Sequence, residues 1–402
     1  EFTDQHILVV GGSGGGGQPG GARVKIFHVN DGAAQLAEPI REIRPFGKNA
    51  PEKVITCCDA TPLCLCLGIE DGSVLLWRGD LIKEKSFRPQ VIRDPGQSKI
   101  TSVKFLEQQH RVVLFVATED SVLSYLVLDK NAMGAGASNS GMANLPGMEH
   151  LPPNMRAFAF DPSSRLNDVK LLQEDVGTGA PPGCCAVFPT MSAYLVATPA
   201  AIFAYDADHG NLSALALDGD KSALTTFGNY FVAVTEEGQG EANAGGMAGP
   251  PVMSQNVTVC LTLPAVRLIG FSGQFSEVAH IVVAMDSIFV MSRGGANGQA
   301  VLFQLRVKPM AEQIDILMKK RMFEWAAEIA IRGGHPREGI AEIYRLHGDS
   351  LYEKRAFEQA LAVYGKTVEL ALPLEPSYVI QKFLDSNKIG LIAKYLQKLH
   401  EK

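Results

Sequence analysis

The chain has 402 residues, a formal net charge of −6, 46% hydrophobic residues and 20% charged ones. This is the composition of a packed globular protein long enough for two units. Residues 308–402 hold 15 Lys+Arg against 13 Asp+Glu, a balance of +2, which leaves −8 for the remainder; neither part is basic enough for a phosphate-backbone partner, and nucleic acid is excluded on charge.

No apolar run reaches the roughly 18 residues of a membrane-spanning helix. The N-terminus, EFTDQHILVV, has no basic segment before its apolar run and is not a signal peptide. It has no initiator Met, so the chain is expected to begin inside a longer protein. There are seven Cys (57, 58, 64, 66, 184, 185 and 260), an odd number with no CxxC pair. This reads as reduced, buried thiols of a cytosolic protein, not as zinc ligands. The sequons at Asn211 and Asn256 are then incidental.

The N-terminal residues ILVV and, past a glycine run, RVKIFHV read as strands. The clearest early unit runs from Val54 to Ile92. Its strand candidates are Val54–Cys58, Leu63–Ile69 and Ser73–Trp77, with a weaker fourth at Lys83–Phe87; Asp71-Gly72 supplies a tight hairpin turn. Similar units follow at 100–128, 184–205, 223–263 and 278–307. Each is an antiparallel meander recurring about every 40–45 residues once inserts are set aside, the spacing of β-propeller blades. Stacking blades radially buries sheet faces that one blade cannot bury alone. The expected fold is therefore a β-propeller over residues 1–308, with seven blades favoured over six. Inserts rich in Gly, Ala, Asn, Ser, Met or Pro near 11–21, 131–153 and 238–251 are expected to be flexible loops on its rim.

After residue 308 the apolar spacing changes to 3 and 4. Ile314, Leu317, Met318, Met322, Trp325, Ala326 and Ile329 fall on one helical face, ended by Gly333-Gly334. Ile340, Ile343, Tyr344, Gly348 and Leu351 form the next face, then Phe357, Ala360, Leu361 and Tyr364. Gly348, Ala360 and Tyr364 have the spacing of a tetratricopeptide-type hairpin, in which small residues admit close helix approach. Segments around 378–384 and 392–399 complete about five helices. Residues 309–402 thus read as the start of an α-helical solenoid, truncated at Lys402.

Three motifs invite catalytic or metal readings. Residues 7–16 look like a strand feeding a Gly-rich phosphate loop, but another strand pattern follows where a helix N-terminus is required. Gly11-Gly12-Ser13-Gly14-Gly15 fits G-x-S-x-G, yet a glycine run cannot hold a nucleophile rigidly. Asp206-Ala207-Asp208-His209-Gly210 resembles the opening of a calcium loop, but Leu217 stands where the bidentate Glu is needed. The nine His form no metal motif. No catalytic, cofactor-binding or metal residue is assigned, and no cofactor.

The segments AEIYRLHGDSLYEKRAFEQALAVYGKTVE (341–369) and LEPSYVIQKFLDSNKIGLIAKYLQKLHE (374–401) resemble the first helical repeats of the class C vacuolar protein-sorting subunits. The resemblance is to the propeller-bearing, RING-ending core subunit shared by the HOPS and CORVET tethering complexes. Glu-Pro-Ser-Tyr-Val-Ile and the following Lys-Phe-Leu-Asp carry it most distinctly. ITSVKFLEQQHRVVLFVAT (100–118) and FDPSSRLNDVKLLQEDVG (160–177) resemble the family's propeller strands. The resemblance implies a propeller followed by a clathrin-heavy-chain-like solenoid. It implies a non-enzymatic scaffold in tethering and fusion at late endosomes and vacuoles or lysosomes, cytoplasmic and peripheral on the membrane. Its implied partners are other tethering subunits and, through them, Rab GTPases and SNAREs. No Cys follows Cys260, so the family's RING chemistry cannot be carried onto this chain. A vesicle-coat or ciliary-transport subunit is the alternative, and a propeller enzyme with its site at the channel mouth a further one.

Overall fold

A computed structural model of the chain describes residues 6–11, 22–28, 38–46, 53–79, 81–82, 89–96, 98–129, 169–236, 254–263, 266–293, 299–385 and 388–400. Within them, 22 strands form six antiparallel sheets, each a simple meander, and six helices follow. The chain divides into two units, Glu1–Leu305 and Arg306–Lys402.

The first sheet holds β1 (His6–Gly11), β2 (Arg23–His28) and β3 (Arg41–Ile43). The second holds β4 (Ile55–Thr61), β5 (Cys64–Ile69), β6 (Val74–Arg78) and β7 (Gln90–Arg93). The third holds β8 (Ile100–Glu107), β9 (Arg111–Thr118), β10 (Ser121–Asp129) and β11 (Lys170–Thr178). The fourth holds β12 (Cys185–Phe188), β13 (Ala193–Ala197), β14 (Ala201–Asp206) and β15 (Gly210–Ala216). The fifth holds β16 (Lys221–Phe227), β17 (Tyr230–Glu236), β18 (Ser254–Leu263) and β19 (Val266–Ser276). The sixth holds β20 (Val278–Ala284), β21 (Ser287–Arg293) and β22 (Ala300–Arg306).

This is a six-bladed propeller, and the expectation of seven blades is corrected. Dividing the chain by the blade period overcounted because long connections join strands of one sheet. Residues 130–169 link β10 to β11, which pair directly, and residues 237–253 link β17 to β18, which also pair. Such connections add length without adding a blade. The weak strand expected at Lys83–Phe87 lies outside the described residues; β7 supplies the fourth strand. The inserts expected at 11–21, 131–153 and 238–251 also lie outside them, apart from Gly11, which ends β1.

Neighbouring sheets share apolar layers, which explains strands buried on both faces. In β5 and β6, Cys64, Cys66, Val74 and Leu76 pack toward the third sheet. Leu65, Leu67, Ile69, Leu75 and Trp77 pack toward the first. Alternate residues point to opposite faces, so one uninterrupted apolar run serves two interfaces. Each fully buried large side chain contributes about 1.5–3 kcal/mol. Phe115 and Tyr194 stack at 4.7 Å between the third and fourth sheets, and Val232, Val234, Val257, Ile288 and Val290 join the fifth to the sixth.

A side-chain-to-main-chain hydrogen bond also spans every one of these junctions. Arg41 donates to Leu81 O at 2.7 Å, and Asp59 accepts from Phe105 N at 2.8 Å. Ser124 Oγ donates to Ala207 O at 2.9 Å, and Thr226 Oγ1 donates to Val187 O at 2.7 Å. Gln255 Oε1 accepts from Val278 N at 2.5 Å.

The helices are α1 (Met310–Lys319), α2 (Phe323–Arg332), α3 (Arg337–Glu353), α4 (Phe357–Glu369), α5 (Pro376–Asp385) and α6 (Ile389–His400). The single face expected from Ile314 to Ile329 belongs to two helices, with Ile314 and Leu317 buried on α1 and Ala326 on α2. Trp325 is half-buried. The break comes from Arg321 in the left-handed region, φ 57°. Its N–H bonds Met318 O, and Met322 N–H bonds Leu317 O, the paired closure of a Schellman motif. The same closure recurs at Gly334, Arg355 and Ala371, with φ of 66°, 62° and 51°. Three of these four positions are not glycine, so composition alone does not announce the helix ends.

Candidate functional site

The motifs that invited catalytic readings resolve into structure. β1 ends at Gly11, and the next described element is the antiparallel strand β2, with Gly11 opposite Arg23. Among the described residues the element after β1 is thus a strand, and Ser13 with the rest of the glycine run lies outside them. Asp206, Asp208 and His209 bring their ligand atoms within 4.8 Å of one another in the turn from β14 to β15. Asp206 Oδ1 accepts from the N–H groups of Asp208 and His209 at 2.9 and 3.0 Å. Burial raises the Asp206 carboxyl, but these hydrogen bonds and the His209 ring hold it below the ordinary range. Asp208 is held low first by hydrogen bonds from the Arg111 guanidinium, which grips both its oxygens. The guanidinium thus supplies the positive charge from within the protein and ties the third sheet to the fourth.

All seven Cys are free; Cys57 and Cys58 are half-buried and the others buried. Burial pushes Cys57 up to about 11, and Cys64 and Cys185 up to about 12. These thiols stay protonated and unreactive near neutrality.

The densest polar constellation among the described residues lies in the helical unit, at Asp349 of α3. Tyr378 Oη of α5 reaches both carboxylate oxygens at 2.8 Å, and Tyr364 Oη of α4 reaches Oδ1 at 2.5 Å. Arg345 Nη1, one turn back on α3, donates to Oδ2 at 2.9 Å, and Lys382 Nζ of α5 donates to Oδ1. Lys382 Nζ also sits 5.3 Å from the ring centres of both Tyr352 and Tyr378. The Asp349 side chain is 16% exposed. Burial raises its carboxyl, but the bonds from Lys382, Tyr364 and Tyr378 outweigh this and hold it below the usual carboxylate range. Lys382 responds in the opposite sense: burial lowers its ammonium, and Asp349 with Tyr378 raises it above the ordinary lysine value.

Local sequence explains the convergence. Gly348 precedes Asp349, and a Cβ there would lie 2.4 Å from the Tyr364 ring. Its hydrogen therefore lets Tyr364 cross flat against α3 and present its hydroxyl to the neighbouring carboxylate. Tyr378 and Lys382 are four residues apart on one face of α5. Phe383, fully buried, packs edge-on against Tyr352 and Tyr364 beneath the charged layer. The arrangement holds three helices in one register. It has the chemistry of a fixed ionic lock rather than of a reactive centre, since each charge is already matched. Sequence reasoning placed Gly348 and Tyr364 but not Asp349, because its partners Tyr364, Tyr378 and Lys382 lie on other helices.

Among the described residues, no helix is long and apolar enough to cross a membrane.

A sequence model of the family described as PEP5/VPS11 N-terminal matches residues 5–142 and 163–297. The chain is 26% identical over 366 residues to a protein named vacuolar protein sorting-associated protein 11 homolog from Dictyostelium discoideum, covering 84% of this chain and 33% of that protein. It is 25% identical over 337 residues to the homolog of that name from Mus musculus, covering 84% and 31%. It is 25% identical over 395 residues to the homolog from Arabidopsis thaliana, covering 96% and 36%. The chain thus spans about a third of the length of the curated relatives it matches.

Proposed function

The chain belongs to the PEP5/VPS11 N-terminal family, and from that premise we propose that it serves as a non-enzymatic scaffold in a vacuolar protein-sorting assembly. The observation that carries this reading is the family match across the propeller strands. The helical unit supports it: the residues of the Asp349 lock lie in the segments 341–369 and 374–401 that resemble class C sorting subunits.

In this reading the propeller, through residue 308, and the helices from 309 onward form the beginning of a propeller-solenoid subunit. Such a subunit works by presenting broad rigid surfaces, and its helical repeats bind through concave faces set by repeat geometry. The assembly is a membrane-tethering complex of the HOPS and CORVET kind. It acts between endosomes and the vacuole or lysosome, with Rab GTPases and SNAREs reached through the other subunits. The protein sits in the cytoplasm and meets the membrane peripherally, as part of the complex.

Affinity purification of the endogenous protein tests the reading. Co-recovery of other class C subunits in fixed stoichiometry, with SNAREs in lesser amounts, is the expected result. Recovery of coat or ciliary-transport subunits instead, or of no sorting subunit, overturns it.

A further inference from the structure

The helical unit is built of three hairpins whose tight turns share one edge. Phe323, the first residue of α2, stacks on the His347 ring in the second half of α3 at 5.4 Å. Tyr352, in the last turn of α3, packs edge-on against Phe357, the first residue of α4, at 5.1 Å. Its hydroxyl donates to Lys382 O, in the last turn of α5, at 2.7 Å. Lys388 Nζ, just before α6, lies 5.1 Å from the Phe357 ring. The ends of α1, α3 and α5 and the starts of α2, α4 and α6 therefore meet on this edge. The α2–α3 and α4–α5 turns lie on the other, where Arg337 donates to Leu370 O and Ala371 O at 3.1 and 3.2 Å.

The two edges differ in charge. Each holds two of the left-handed helix closures. On the second edge the left-handed residues are Gly334 and Ala371. On the first they are Arg321 and Arg355, preceded by Lys320 and Lys354. A left-handed backbone favours glycine over arginine, so both turns carry an exposed charge where local conformation asks for none. Lys319 and Lys388 extend the row to six exposed cations. Among the described residues, the side chains of Lys319, Lys320, Arg321, Lys354 and Arg355 make no ion pair or hydrogen bond. On the second edge Arg332 pairs with Glu328 at 2.6 Å, Lys398 pairs with Glu369, and Arg337 is taken by its two carbonyls. Glu324, Glu353, Glu358 and Asp385 leave the first edge a surplus of two positive charges. Glu324 and Glu358 sit in the first turns of α2 and α4, where the helix dipole favours them.

Two bare aliphatic side chains stand among these cations. Leu384 ends α5 at 55% exposure and Ile389 opens α6 at 65%, on either side of Lys388. Both are more open than Ile331 and Leu370 of the second edge, at 41% and 42%. Neighbouring helices pack about 8–10 Å apart, so the turns make a line of tips that one flat surface can meet together.

We propose that this edge rests directly on an anionic lipid surface, with the six cations among the headgroups and Leu384 and Ile389 entering the boundary of the acyl layer. Charge complementarity selects the anion. The aliphatic pair selects a bilayer over an acidic protein segment, because carboxylates offer such side chains nothing, whereas the acyl boundary removes them from water. No pocket is needed, since each Lys or Arg brought to an anionic membrane raises partitioning about fivefold by itself. Direct contact of this kind goes beyond membrane association through other subunits. It stands on the helical unit alone, whatever assembly holds the protein.

Co-sedimentation of the full-length polypeptide with vesicles tests this, using phosphatidylcholine alone or with about 30% phosphatidylserine. The expected result is partitioning at least about 50-fold stronger onto the anionic vesicles at about 0.1 M salt, and largely lost at about 0.5 M. A variant combining Lys320→Gln, Arg321→Gly, Lys354→Gln and Arg355→Gly removes four charges and gives both left-handed positions the residue they favour. Its melting temperature should hold or rise, while its partitioning falls to the level on phosphatidylcholine alone. Ile389→Ser should lower binding to anionic vesicles at least about threefold. Equal partitioning onto the two vesicle types overturns the proposal, as does unchanged binding by the fourfold variant or by Ile389→Ser. Loss of an acidic sorting subunit from the purified fourfold variant, with no vesicle preference in the unsubstituted protein, marks a protein partner and overturns it too.

Discussion

The two units join their elements by different means. In the propeller, each of the five junctions between successive sheets is crossed by a hydrogen bond with one main-chain partner, as in Ser124 to Ala207 O and Thr226 to Val187 O. In the helical unit, α3, α4 and α5 meet at a single carboxylate whose partners are all side chains. The propeller spreads single polar links over its junctions; the helices add to such links, as from Tyr352 to Lys382 O, one shared carboxylate. A distributed set loses one bond at a time, whereas a hub fails as a unit because each member holds the others in place.

The largest expected effect sets the scale for packing alone. Trp77 is 1% exposed and its indole nitrogen has no hydrogen-bond partner among the described residues, so Trp77→Ala chiefly removes packing. A cost of about 3–5 kcal/mol is expected in chemical denaturation of the propeller. Next comes the hub. Asp349→Ala leaves Lys382 and two phenols without their acceptor and is expected to cost about 2–3 kcal/mol. Combining it with Lys382→Met should cost less than the sum of the single changes by at least about 1 kcal/mol. Additive values would show that the hub is a set of independent bonds, and the contrast between the units would collapse.

Acid sharpens the same contrast. A carboxyl lower in the folded than in the unfolded chain adds stability above its unfolded value, about 4. That stability is lost as pH falls through the lower folded value. Asp349 is such a group. The melting temperature of the helical unit should therefore fall as pH drops below about 4, and Asp349→Asn should flatten this dependence. An unchanged slope in the variant would remove Asp349 from the account.

Gly348→Ala places a Cβ against the Tyr364 ring and should cost about 1–3 kcal/mol. Its effect should shrink in a Tyr364→Leu background if the clash is the cause. The smallest effects belong to the propeller's polar bonds. Ser124→Ala and Thr226→Val should each cost about 1 kcal/mol and add within about 0.5 kcal/mol, since they lie at different junctions. Strong coupling between them would mean the propeller is as concentrated as the helices.

The parts of the fold legible in the sequence are those with a strong local period. Runs such as VVLFVAT in β9, bounded by turn residues, announce strands, and Gly348, Ala360 and Tyr364 announce a close helix pair. The fourth strands were harder. β11 reads KLLQEDVGT, and its burial is mixed, so no clean alternation marks it. Blade number was obscured because connection length and blade length look alike in a linear count. Helix ends at Arg321, Arg355 and Ala371 escaped because a left-handed residue is expected to be glycine. The Asp349 hub was invisible for a different reason. Its members are ordinary helix-surface residues until three helices bring them together, and no spacing within one helix encodes that meeting.

The bonds between propeller sheets have an evolutionary consequence. Every residue presents a carbonyl and, proline aside, an N–H, whatever its side chain. A polar link that ends on the backbone therefore constrains the identity of only one of its two positions. Half of each link is free to drift. Sheets joined this way can keep their packing while many of their letters change.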